Sequence, residues 1–179
     1  MSSIAITGGA TGTGVFSLVA PSTSTNRTLT LPDNSGTVLT TATAGVPVNG
    51  PAFSAYRTGT QAYTSNTYTK VQINTESFDT NSCYDSTTNY RFTPTVAGYY
   101  LCTGQIQTSA GTYVETDIYK NGVSNGYSQI SGAWGIPTTQ LIYFNGSTDY
   151  IELYGFITTS GNIAAGLATY FQAAMVRAA

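Results

Sequence analysis

Histidine is missing from all 179 residues. Its absence excludes Ser-His-Asp and Cys-His nucleophilic catalysis, histidine metal centres and the commonest general base. Charge is also scarce. Asp, Glu, Lys and Arg make up 8% of the chain, against about 25% in ordinary soluble domains. With six Lys and Arg and a net charge of −2, there is no basic stripe to neutralise phosphates, so nucleic acid is not an expected partner. No charge block, basic amphipathic helix or apolar run of membrane-spanning length occurs, so no membrane partner is expected either. Met1-Ser2-Ser3 is not followed by a basic region, which predicts synthesis in a cytoplasm without a secretion signal. Cysteine is limited to Cys83 and Cys102. The two could pair across neighbouring strands, but a reducing cytoplasm favours two free thiols.

The carboxylates are few and scattered. Glu115 and Asp117 share one face of a strand, which permits an acid/base pair or a Ca²⁺ site. The expected role is nonetheless a solvated polar strand face. Asp79 and Asp85 are expected to cap turns. The glycine-rich run Gly8 to Gly14 has no following Lys and no strand–helix context, so it is a turn and not a phosphate loop. No catalytic residue, metal or cofactor is predicted, and the chain is read as a non-enzyme.

What the chain does have is Thr, Ser, Asn and Gly, with 14 Tyr and 7 Phe. So many aromatics argue for a packed core and against disorder. An uncharged, Tyr-rich surface suits large subunit contacts or exposure outside a cell. Alternation then sets an all-β class. Tyr100, Cys102, Gly104 and Ile106 fall on one face of a strand, with Tyr99, Leu101, Thr103 and Gln105 on the other. Val114, Thr116 and Ile118 alternate with Glu115 and Asp117, and Asn121-Gly122 closes that run with hairpin chemistry. Further strands are read at Phe53 to Arg57, Tyr68 to Asn74 and Thr169 to Arg177, with Leu141 to Phe144 as a fully buried run. From Tyr150 to Ile157 both faces are apolar, one carrying Tyr150, Tyr154 and Phe156. A single sandwich covers only one such face, so those three residues are predicted to form a subunit contact.

In order along the chain come Phe78-Asp79, Tyr84-Asp85, Arg91-Phe92-Thr93-Pro94, Ala97-Gly98-Tyr99-Tyr100, Tyr119-Lys120-Asn121-Gly122, Asp149-Tyr150-Ile151-Glu152-Leu153 and Thr169-Tyr170-Phe171-Gln172-Ala173. This series resembles the C1q-like globular domain, a relative of the tumour-necrosis-factor jelly roll, over about residues 51 to 179. The resemblance implies a ten-stranded jelly-roll sandwich, a tight homotrimer, partner binding through the surface and no shared catalytic centre.

Residues 1–50 differ in texture, with Arg27 and Asp33 the only charges. Arg27-Thr-Leu-Thr-Leu-Pro-Asp-Asn-Ser-Gly-Thr-Val38 reads as a β-hairpin around a Pro-Asp turn. It resembles an element common in bacteriophage tail-fibre and virion proteins. The chain is therefore divided into an N-terminal arm and linker (1–50) and a jelly-roll head (51–179). Leu29, Leu31, Val38 and Leu39 are expected to anchor the arm to the major capsid protein or another virion protein. The function expected is a trimeric capsid decoration or cement protein on a virion surface, with an exposed knob. Fifty residues reach at most about 170 Å extended, and no heptads supply a shaft, which favours decoration over a tail or head fibre with a receptor-binding tip. Tyr127 and Trp134 are candidates for a host receptor or glycan contact, and a carbohydrate-binding module is the alternative of another class.

Overall fold

Alternation decides which side chains face inward. The structure, a computed structural model, describes residues 50–109, 113–132 and 135–179. These lie within one compact unit and form thirteen strands. They are β1 (Ala52–Arg57), β2 (Gln61–Tyr63), β3 (Thr69–Lys70), β4 (Thr75–Asp79), β5 (Tyr84–Asp85), β6 (Arg91–Phe92) and β7 (Gly98–Gln105), followed by β8 (Val114–Lys120), β9 (Val123–Ile130), β10 (Thr138–Phe144), β11 (Ile151–Ile157), β12 (Gly161–Ile163) and β13 (Gly166–Ala178). Leu29, Leu31, Val38 and Leu39, the predicted anchor, and Trp134 lie outside the described residues.

Two antiparallel sheets face each other. One runs β10-β7-β13-β1-β4; the other runs β5-β6-β11-β8-β9, with β3 also paired to β11. Both termini of the described head therefore enter the same sheet, β1 against β13 with Ala52 opposite Ala174. The β8–β9 hairpin turns at Asn121 (φ 52°) and Gly122 (φ 81°). Two consecutive positive φ angles make the two-residue turn whose twist matches the flanking strands, as the Asn-Gly signal predicts.

The core is aromatic at its centre. Phe53 of β1 stacks on Tyr84 at 4.4 Å and on Phe92 at 4.6 Å, with the edge of Phe171 at 5.3 Å. Tyr100 and Phe144 extend the cluster at 5.1 Å between centroids. Gly104 allows the sheets to close, since a Cβ there would lie 2.5 Å from Leu153 Cδ1. The alternation read in β7 holds, with Tyr100, Cys102 and Gly104 buried and Tyr99 and Leu101 exposed.

Three expectations are corrected. Leu141 to Phe144 is not buried on both faces. It belongs to the edge strand β10, where Ile142 and Phe144 point inward while Leu141 is 62% exposed. The region 68–74 pairs only through Thr69–Lys70; beyond it Val71 and Ile73 are fully buried without joining a strand. Glu115 and Asp117 are not a solvated face: they are 6% and 1% exposed, beneath a layer of tyrosines.

Candidate functional site

Cross-strand register assembles the first candidate, the outer face of the five-stranded sheet. Leu141 of β10 sits opposite Leu101 of β7, and Tyr143 opposite Tyr99. The two tyrosine rings lie 5.4 Å apart. Val176 of β13 joins them, and all five side chains are between 43% and 62% exposed. Tyr99, Leu141, Tyr143 and Val176, with the C-terminal Arg177 to Ala179, line a groove of about 560 Å³. Among the described residues nothing covers this contiguous apolar surface, which makes it a candidate contact surface.

The second candidate is the outer face of the other sheet. Here register places Asp117 between Tyr127 on β9 and Tyr154 on β11. Tyr154 stacks on Tyr119 at 4.0 Å, and Tyr68 tilts over Phe156 at 5.0 Å. Glu115 accepts hydrogen bonds from Tyr68 Oη at 2.7 Å and from Tyr113 Oη. Holding that proton against a carboxylate pushes the Tyr113 hydroxyl up to about 12 and moves Tyr68 upward as well. Glu152 is paired with Lys70 at 2.6 Å. Neither oxygen of Asp117 has a well-formed hydrogen bond. The Ser124 hydroxyl and the Gly126 and Ile118 amides lie near enough to favour its charge, but burial outweighs them and raises its carboxyl above the ordinary range.

The turns carry the remaining acids. Asp79 accepts the Tyr84 amide at 2.7 Å and the Asn81 amide at 3.3 Å. Asp85 accepts the amides of Thr88, Thr87 and Asn89, which hold it well below the usual carboxylate range. Both are turn caps, as expected. Asp149 ties two of the family-like elements together: it accepts from Asn121 Nδ2 at 2.8 Å and lies 2.9 Å from Lys120 Nζ. Cys83 and Cys102 are both buried and unpaired, matching the expectation of free thiols. Among the described residues no cluster of three or more His, Cys, Asp or Glu is placed to hold a metal ion, and no helix is long and apolar enough to cross a membrane.

Of the residues singled out from sequence, Tyr127 is 52% exposed on β9. Tyr150, Tyr154 and Phe156 are only partly exposed, because the chain covers them itself: Arg91 sits over the Tyr150 ring at 4.6 Å, and Tyr119, Tyr68 and Tyr113 cover the other two. The chain thus itself covers part of the face from which a subunit contact was predicted. Sequence reading missed Leu101, Tyr99, Leu141, Tyr143 and Val176 as a patch. The signal was present in β7, whose second face is apolar at Tyr99 and Leu101, but the cross-strand partners on β10 were hidden by reading that strand as buried.

The architecture is an all-β sandwich of the TNF-like jelly-roll type. Solved structures similar to it include murine APRIL at pH 8.5 (TM-score 0.57, 9% identity), covering 72% of this chain and 100% of that one. Murine APRIL at pH 5.0 gives a TM-score of 0.56 at 8% identity, with the same coverage. Rabbit GITRL is also matched, at a TM-score of 0.47 and 12% identity, over 72% of this chain and 96% of that one. No family model and no curated protein matches the chain. At these identities the likeness establishes the fold.

Proposed function

We propose that this chain is a non-enzymatic structural protein of a bacteriophage virion surface, a homotrimeric capsid decoration or cement protein. In this reading the jelly-roll head projects as a knob, and residues 1–50 attach it to the major capsid protein or another virion protein. The observation that carries it is the uncovered apolar face Tyr99, Leu101, Leu141, Tyr143 and Val176 on a sandwich otherwise poor in charge. Such a face on a protein synthesised alone is a liability, and a closed threefold contact removes it. The threefold contact is accordingly assigned to the five-stranded sheet and not to Tyr150, Tyr154 and Phe156. The Arg27 to Val38 element supplies the virion assignment through its resemblance to phage fibre and virion sequences.

A receptor-binding tail or head fibre is the second reading, favoured by the exposed ring of Tyr127 on the edge strand β9, where a flat amphipathic ring suits a sugar or receptor. One experiment separates the two. Full-length protein and a head lacking residues 1–48 are each sedimented with particles that lack this protein. The decoration reading expects the full chain to pellet with capsids and the truncated, still folded head to remain in the supernatant. Equal binding by the truncated head moves attachment to the jelly roll, and binding to tails alone supports the fibre reading.

A further inference from the structure

Only three buried side-chain atoms among the described residues lack a hydrogen-bond partner: Arg57 Nε and both oxygens of Asp117. Arg57 is otherwise anchored, through its guanidinium to the Gln72 and Thr60 carbonyls. Asp117 is different, because a carboxylate buried to 1% exposure, with the Ser124 hydroxyl and the Gly126 and Ile118 amides nearby but no well-formed hydrogen bond to either oxygen, is costlier as the anion than as the acid. Its neighbours do not supply a compensating charge. On β8 it is flanked by Glu115 and Tyr119, on β9 it faces Tyr127 and Ser124, and on β11 Tyr154 with Glu152 alongside. Tyr68 roofs the layer, and Lys70 of β3, opposite Tyr154, is taken by Glu152 at 2.6 Å.

We propose that Asp117 and the tyrosine layer over it form a proton-sensitive latch on β9, closed while Asp117 is neutral and loosened when it ionises. The geometry says which strand yields. β11 is central to its sheet, with Ile151, Glu152, Leu153, Gly155 and Ile157 buried, whereas β9 is the sheet edge and mostly exposed. The β8–β9 pairing is also interrupted by a register shift between Ile118 and Tyr119, next to Asp117. Water reaches a charged Asp117 at least cost by parting Tyr127 and its strand from β8, because β9 carries no fully buried residue and only Ile130, at its far end, packs against the core. The raised carboxyl pKa of Asp117 agrees in direction. A group that binds its proton more tightly in the closed state than in the open one leaves closure at full strength below the open-state pKa. Closure then weakens as pH rises to the closed-state value, and is level above it.

The test is amide hydrogen exchange of the full-length protein from pH 4.5 to 8, corrected for the intrinsic pH dependence of exchange. In the wild type, opening of the Ser124 to Ile130 amides is expected to rise with pH by about tenfold per unit that separates the closed- and open-state pKa values of Asp117. In Asp117→Asn it is expected to stay low and flat, while the β7 and β13 amides behave alike in both proteins. The same pH slope in Asp117→Asn overturns the latch. A carbon-detected NMR titration of wild-type Asp117 stands independently of that variant's folding. A midpoint above the ordinary carboxylate value of about 3.9 supports the latch, and one at or below it overturns the latch.

Discussion

Changing Leu141 to Asp tests where subunits meet. Leu141 is 62% exposed in the single chain and borders Leu101 and the Tyr99–Tyr143 pair. Fully burying a leucine contributes roughly 1.5–3 kcal/mol, so covering the exposed part contributes about 1–1.5 kcal/mol. Five half-exposed side chains give about 5 kcal/mol per protomer on the same scale, enough to matter against an association cost of about 4–15 kcal/mol. Leu141→Asp removes its share and places a charge in a desolvated contact, a loss of about 3 kcal/mol for each protomer. Counted in three contacts, that weakens assembly by about six orders of magnitude. The monomer should keep its fold, because the replaced side chain points away from the core. Sedimentation equilibrium at micromolar concentration is the assay, with circular dichroism to check folding. Wild type is expected at three times the chain mass and Leu141→Asp at one. Tyr154→Asp is the contrast: it breaks the 4.0 Å stack on Tyr119 and should lower the melting temperature while leaving the mass threefold. A monomeric wild type, or dissociation by Tyr154→Asp with Leu141→Asp still trimeric, refutes the assignment.

Two further outcomes follow from the acids and the thiols. Asp85 and Asp149 have depressed pKa values, Asp85 through the Thr88, Thr87 and Asn89 amides, Asp149 because contacts with Asn121, Lys120 and Asn145 outweigh its burial. Their stabilisation is present above the unfolded value of about 3.9 and disappears as pH falls through the folded values. Asp85→Ala should therefore cost on the order of 1 kcal/mol at pH 7 and flatten the acid side of a melting-temperature profile; an unchanged profile would show the cap to be idle. Reductant should leave the melting temperature unaltered, since Cys83 and Cys102 are free; a fall of several degrees would reveal a disulfide.

The fold was legible where local chemistry dominates. Asn121-Gly122 forced its turn, Tyr100 and Cys102 announced an inward face by alternation, and Asp79 and Asp85 declared themselves as caps. What could not be read was which residues cover which, because that depends on strand order. Glu115 and Asp117 alternate with Val114, Thr116 and Ile118, a pattern that normally means water on the polar side. Instead, long-range register brings Tyr154 of β11 and Tyr127 of β9 over them. The same blindness entered the reading of the predicted contact face. Tyr150, Tyr154 and Phe156 looked too apolar for one chain to cover, yet Arg91, Tyr68, Tyr113 and Tyr119, distant in sequence, do cover them. Leu141 and Tyr143 looked buried because nothing local says that β10 is an edge.

The low charge content has a structural reading once each charged group is located. Lys70 is paired with Glu152, and Lys120 with Asp149; Arg57 clamps the Gln72 and Thr60 carbonyls, and Arg91 lies on Tyr150. Asp79 and Asp85 hold turns, Glu76 accepts from Ser86, and Glu115 accepts from two tyrosines. In the described head nearly every charge is thus engaged in holding the fold, which leaves the outward surface to Thr, Ser, Asn, Gln and Tyr. A surface of that kind attracts partners weakly over distance, because steering requires net potential, and it loses little in salt, because there is little to screen. Contacts made by this head must then come from shape, uncharged hydrogen bonds and apolar burial, and the patch around Leu101 and Leu141 is the part of the described surface best supplied with the last. Asp117 is the exception to this allocation, a buried carboxyl with no paired cation and no well-formed hydrogen bond, whose carboxyl is raised where those of Asp85 and Asp149 are lowered.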